Sequence, residues 1–172
     1  MGFLGVLVAA VAAYAFGAVW YMILAKPWIR AAGIETDSSG KPLNASNPVP
    51  YIVAFGSAVL VAGMMRHIFV LSGIDTVDKG LVSGLGIGLF LASPWLLTCY
   101  SFGGRPFRLT LIDGGYATIG SAIIGVVLTL FRKVSETLRR VPAGLRSTLR
   151  HPSAPTAPNV SLERLRPSWP VS

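Results

Sequence analysis

Asp113 is the one acidic side chain inside a long apolar stretch, four residues into a run that is otherwise uncharged from 109 to 131. At 1.5 Å per residue it lies ~6 Å past the start of that run. A carboxylate in hydrocarbon is costly, so it must meet a partner, take up a proton or face water. Each outcome is a chemistry: a buried ion pair or helix cap, a general base, or a proton carrier. Tyr116, at the i+3 position, shares its helix face. Lys26, Arg30, Arg105 and Arg108 are cations in neighbouring segments, and Trp20, Tyr21 and Trp28 are aromatics with polar tips. The expected site is therefore Asp113 and Tyr116 with Trp20, Tyr21, Lys26, Trp28, Arg105 and Arg108. Any activity or specific assembly is expected to depend on Asp113.

Other reactive arrangements are absent from the sequence. It contains no phosphate-binding loop, no H-E-x-x-H, no C-x-x-C and no spaced Ser-His-Asp set. Cys99 lies in an apolar run and is expected to be an inert packing thiol, while His67 and His151 are far apart. No cofactor and no metal are expected. Gly84, Gly86 and Gly88 superficially resemble a nucleotide-binding glycine loop, but they lie in an uncharged run with no preceding strand, and packing is their expected role.

The elements that position these residues follow from composition. Of 172 residues, 52% are hydrophobic and only 13% charged, about half the charge of a soluble domain; mean hydropathy is +0.61. Four runs, at about 2–25, 51–71, 81–102 and 109–131, are long enough to cross ~30 Å of hydrocarbon as helices. The first lacks a basic leader and ends in Ala25-Lys26-Pro27-Trp28, so a retained span is expected rather than a cleaved signal. Residues 35–50, 72–80 and 103–106 have the composition of loops. Pro94 interrupts the third run and is expected to kink it, freeing the carbonyl of Phe90.

Every run carries a small-residue stripe, which lets helix backbones approach closely in lipid: Gly5, Ala9, Ala13 and Gly17; Ala54, Ala58 and Ala62; Gly80, Gly84, Gly88 and Ala92; Ala117, Ser121 and Gly125. The expected fold is all-α: a polytopic membrane protein, a compact bundle of four transmembrane helices over 1–131, with a basic, partly disordered C-terminal tail. Residues 132–151 form a basic juxtamembrane segment, interrupted by Pro142 and Gly144, and 152–172 a Pro-rich disordered tail.

Four spans place both chain ends on one side, here side A, with the 72–80 loop. The 26–50 and 103–108 connections lie on side B. Side B collects the expected site together with Arg30, Tyr51, Tyr100 and Phe102, whereas Arg66 and His67 lie near side A. An interfacial belt of Trp, Tyr, Lys and Arg accounts for most of this list; Asp113 escapes it. Eight Lys/Arg against two acidic residues fall in 132–172, and seven against five in the first 131. Anionic lipid headgroups are the expected partner of Arg132, Lys133, Arg139, Arg140, Arg146 and Arg150, since no nucleic-acid-reading motif accompanies the charge. The basic excess on side A predicts cytoplasmic termini, although the basic flank of the first span argues the reverse.

Gly17-Ala18-Val19-Trp20-Tyr21, then Lys26-Pro27-Trp28, then Leu111-Ile112-Asp113-Gly114-Gly115-Tyr116 resemble the domain of unknown function 1761 family. The likeness covers roughly residues 5–131, and Ser101–Pro106 resembles the family's turn before the last helix, with Gly103 where an acidic residue is often found. That departure weakens any case for paired carboxylates. The resemblance implies a small bacterial or archaeal integral membrane protein of four helices, and the bacterial cytoplasmic membrane as its location. It carries no activity, and the extension after Phe131 looks additional to it.

Three function classes stand. The first is an accessory or structural bundle forming homo- or hetero-complexes in the membrane. The second is a small-solute or ion carrier or channel using Asp113. The third is a membrane enzyme acting on a lipid or apolar substrate, with Asp113 as base.

Overall fold

Long apolar runs leave the backbone no water to bond, so it must bond to itself, and helices result. The computed structural model describes residues 2–43 and 45–140, among which the order is α1 (Gly2–Ile23), α2 (Ala25–Ala32), α3 (Val49–Leu71), α4 (Val77–Ile87), a π turn (Gly88–Ala92), α5 (Ser93–Phe102) and α6 (Phe107–Arg140). Four helices are long and apolar enough to cross a membrane: Gly2–Ile23, Val49–Leu71, the continuous stretch Val77–Phe102, and Phe107–Thr137. The chain is a multi-pass membrane protein in contact with the lipid bilayer. The expectations for Pro142, Gly144, Arg146, Arg150 and the 152–172 tail, and for the side chains of Arg139 and Arg140, lie outside the described residues. Where residues are described past Phe131, the basic segment continues α6 directly, and Arg132 pairs with Glu136 at 3.3 Å.

Small residues hold the bundle together. Ala9, Ala10 and Ala13 of α1 and Ala58 and Ala62 of α3 are buried with Val6, Met65, Phe69, Ile124 and Leu128 in one cluster joining α1, α3 and α6. The predicted stripe on α3 is shorter than expected, because Ala54 is exposed. Gly80, Gly84 and Gly88 form a ladder against α6, where a Cβ would strike Gly125, Ser121 and Thr118 respectively, mostly at backbone atoms. The three contacts advance along α4 as they retreat along α6, so the two helices run antiparallel. Gly86 is the exception among the predicted packing glycines, with nothing within 4 Å of its Cβ position.

The structure shows how Pro94 is accommodated. The turn before it widens into a π turn: the Ser93 N–H reaches back to the Gly88 carbonyl, and the Ser93 hydroxyl donates to the same oxygen at 2.8 Å. The proline then occupies the first turn of α5, where its missing N–H matters least. α5 buries no residue. Cys99 is accordingly exposed on it, not packed as expected. Phe90 and Phe102 are 78% and 92% exposed, which in a chain surrounded by lipid is contact with hydrocarbon or headgroups and not a defect.

The loop after α2 is tied by its own aspartate. Asp37 accepts from the Ser39 hydroxyl at 2.7 Å, the Ser39 N–H at 2.8 Å and the Lys41 N–H at 3.0 Å. These bonds, the Ser39 hydroxyl first, hold its carboxyl below the usual carboxylate range.

Candidate functional site

The side B end of the bundle is organised by α2, a helix within the stretch expected to be a connection. The chain leaves α1 through bonds from the Leu24 N–H to the Trp20 carbonyl and from the Trp28 N–H to the Leu24 carbonyl. Pro27 fits the first turn of α2, and Gly33 closes it in the left-handed region at φ 66°, where other residues are strained. This turn brings Trp28 back beside Tyr21, with ring centres 5.3 Å apart.

Both aromatics face Asp113. The Tyr21 hydroxyl donates to Asp113 Oδ1 at 2.7 Å and Trp28 Nε1–H donates to the same oxygen at 3.1 Å. The Tyr100 hydroxyl donates to Oδ2 at 2.7 Å. Asp113 is 9% exposed and holds no ion pair among the described residues. It also stands seven residues from Pro106, beyond the first turn of α6, so it is not a helix cap. The expected structural alternatives, ion pair and cap, both give way to a third arrangement: a carboxylate held by neutral aromatic donors from α1, α2 and α5. Hydrogen bonds to a charged acceptor are short and strong, and aromatic donors supply them without bringing a second charge into the membrane.

The flanking motif residues make room for this cluster. Trp20 Nε1–H donates to the Ile112 carbonyl at 3.1 Å. A Cβ on Gly115 would lie 2.9 Å from the Trp20 ring, and one on Gly17 would lie 2.8 Å from the Tyr116 ring. Tyr116 stacks on Phe16, with centres 6.2 Å apart and planes 10° apart, and leans on Tyr21 at 5.4 Å. It packs against the Tyr21 ring and makes no hydrogen bond to the carboxylate among the described residues. One helical turn deeper, the Ser93 hydroxyl also reaches the Gly114 carbonyl at 3.2 Å and Thr118 Oγ1 at 3.3 Å.

The cations separate from the carboxylate. Arg105 Nη1–H donates to the Ala32 carbonyl at 3.0 Å, tying the turn before α6 to the end of α2. Lys26 and Arg108 line a different recess, with Arg30. Of the eight expected residues, Asp113, Tyr21 and Trp28 meet directly, Trp20 and Tyr116 flank them, and the three cations stand apart. Tyr100 is the donor that was not singled out. Its signal was its place at the end of the third span, beside the start of the fourth.

The model of one family, described as "Protein of unknown function (DUF1761)", matches residues 4–129. The chain belongs to the DUF1761 family. No curated protein and no solved structure matches it. In this DUF1761 protein the matched region contains Asp113 and all three of its donors, whereas the basic residues from Arg132 onward lie beyond it.

Proposed function

We propose that this chain is an accessory helix bundle that forms complexes in the membrane, with itself or with another membrane protein, and that the Asp113 cluster is its fastening. The observation that carries this reading is the occupation of the carboxylate. Both oxygens already accept from Tyr21, Trp28 and Tyr100, so the group ties α1, α2 and α5 to α6 instead of standing open as a base. The outer side of α3 agrees with association. Gly56 and Gly63, seven residues apart on one stripe, have nothing within 4 Å of their Cβ positions, leaving space for a further helix to approach closely.

The test is the mass of the detergent-solubilised chain, taken from its own membranes and corrected for bound detergent. The expected result is a complex larger than one chain, broken by Gly56→Leu or Gly63→Leu. A monomer in both wild type and variants overturns the proposal.

A second reading, a small-solute or ion carrier, is favoured by the π turn and the Ser93, Thr118 and Gly114 contacts one turn below Asp113, since π turns recur at functional sites. Solute or ion flux in proteoliposomes, abolished by Asp113→Asn, would select this reading over the first.

For location we propose the bacterial cytoplasmic membrane with both termini inside, supported by the basic excess on side A. In a Cys99→Ser background, a single cysteine introduced after Arg150 is expected to resist an impermeant thiol reagent in intact cells. Labelling there reverses the orientation.

A further inference from the structure

α2 carries two cations on one face. Lys26 and Arg30 are four residues apart, so their side chains stand one turn above the other, an arrangement that destabilises an isolated helix when the charges are alike. Arg108, from the start of α6, comes up beside them. With Pro27, Ala31 and Pro106, the three cations line an open recess of about 410 Å³, within the ~300–1,000 Å³ range of ligand clefts. All three side chains are exposed, and none is in an ion pair among the described residues. Asp113, the carboxylate of the neighbouring site, does not line the recess and accepts from its three aromatic donors.

The backbone adds positive potential at the same place. Pro106 lies immediately before α6, so the first N–H groups and the positive end of a 34-residue helix face this end of the molecule. The recess also has a definite level. α2 follows the end of α1 at Ile23, and α6 enters its apolar run just past Arg108, so the cations stand at the ends of two apolar spans, the level at which a bilayer's headgroups are expected. Three converging cations, a helix N-terminus and no carboxylate on the lining describe the complement of an anion. Two of the cations are arginines, whose planar fork matches phosphate oxygens two at a time.

We propose that this recess binds a phosphate group at the membrane surface, held by Lys26, Arg30 and Arg108. The site goes beyond the accessory reading and stands whether or not the bundle associates with a partner.

The test uses the full chain in nanodiscs of phosphatidylcholine, reading the melting temperature against two probes. One is phosphatidylglycerol added to the bilayer, and the other is inorganic phosphate added to the solution. The expected result is a saturating rise with at least one probe. A rise with phosphatidylglycerol alone identifies a lipid headgroup as the source, and a rise with inorganic phosphate identifies a soluble one. Arg30→Gln and Arg108→Gln should each need about fivefold more of that probe for half the rise, the effect of removing one surface cation. Lys26→Gln reads the same site at a third position, and Arg108→Lys, which keeps the charge, should remain closer to wild type than Arg108→Gln. Lys41→Gln removes a charge of the same sign outside the recess and should titrate as wild type. The proposal is overturned if neither probe raises the melting temperature. It is equally overturned if Lys41→Gln weakens the response as much as the recess variants do, because the attraction is then that of the surface as a whole.

Discussion

Asp113→Leu lowers the stability of the detergent-solubilised protein by about 2 kcal/mol, while Asp113→Asn stays close to wild type. Leucine fills the space but strands the Tyr21 hydroxyl, the Trp28 N–H and the Tyr100 hydroxyl together. Interhelical hydrogen bonds in a bilayer average ~0.6 kcal/mol, so three amount to about 2 kcal/mol. A stranded buried donor costs ~1–3 kcal/mol, which would raise the total, but these three are only partly buried and can turn toward water at the side B surface. The total therefore stays at ~2 kcal/mol. Asparagine keeps an oxygen for Tyr21 and Trp28, and the Tyr100 hydroxyl can reverse to accept from the new amide. The pair of variants thus divides geometry from charge. If Asn folds normally and supports growth of a deletion strain, the cluster is a fastening. If Asn folds normally and fails to support growth, the charge itself is needed and the carrier reading gains. Wild-type behaviour of both variants removes Asp113 from any special role.

Gly84→Ala and Gly88→Ala are expected to cost about 3 kcal/mol or more each, whereas Gly86→Ala, two residues from either, should be neutral or slightly stabilising. The atoms a Cβ would meet at Gly84 and Gly88 are backbone atoms of Ser121, Ala122, Ala117 and Thr118. Side chains can swing aside, but a helix backbone can yield only by moving as a whole, which places the cost at the upper end of the usual ~1–3 kcal/mol for overpacking. At Gly86 the Cβ position is open, and only the helix-favouring effect of alanine remains, ~0.5–1 kcal/mol. Thermal unfolding of the three variants in one detergent checks the order. Equal losses at all three positions would mean that the contact between α4 and α6 does not set the result, and equal small gains would mean that helix propensity alone does.

The four spans were legible because a bilayer imposes one requirement, and a charge-free run of sufficient length meets it. Asp113 was legible for the same reason, as a violation of that requirement. Its partners were not. Cations were expected because a charge seeks a countercharge, but α2 turns Trp28 inward and leaves Lys26 and Arg30 on another side. That turn is written in Pro27 and Gly33, two signals lying in a stretch otherwise read as connection. Tyr116 was assigned to the carboxylate by helical phase alone. Phase fixes a face of the helix but not how far round the side chain is drawn, and Phe16 and Gly17 draw the ring aside. The π turn was equally hidden. Pro94 announces an interruption, but only the hydroxyl of Ser93 and the backbone of α6 decide what form it takes.

The bonds on Asp113 also set an order in time. Tyr21 and Trp28 precede their acceptor by 92 and 85 residues. At ribosomal rates of roughly 5–20 residues per second, they emerge about 5–20 s before it. Tyr100 comes only 13 residues earlier, on the preceding span. The first and last spans therefore cannot be joined through this carboxylate until about two-thirds of the 172 residues have been made, and until then the donors of α1 and α2 lack their acceptor. A nascent chain that stalls before residue 113 leaves the Tyr21 hydroxyl and the Trp28 N–H without the acceptor that joins the first two helices to the last.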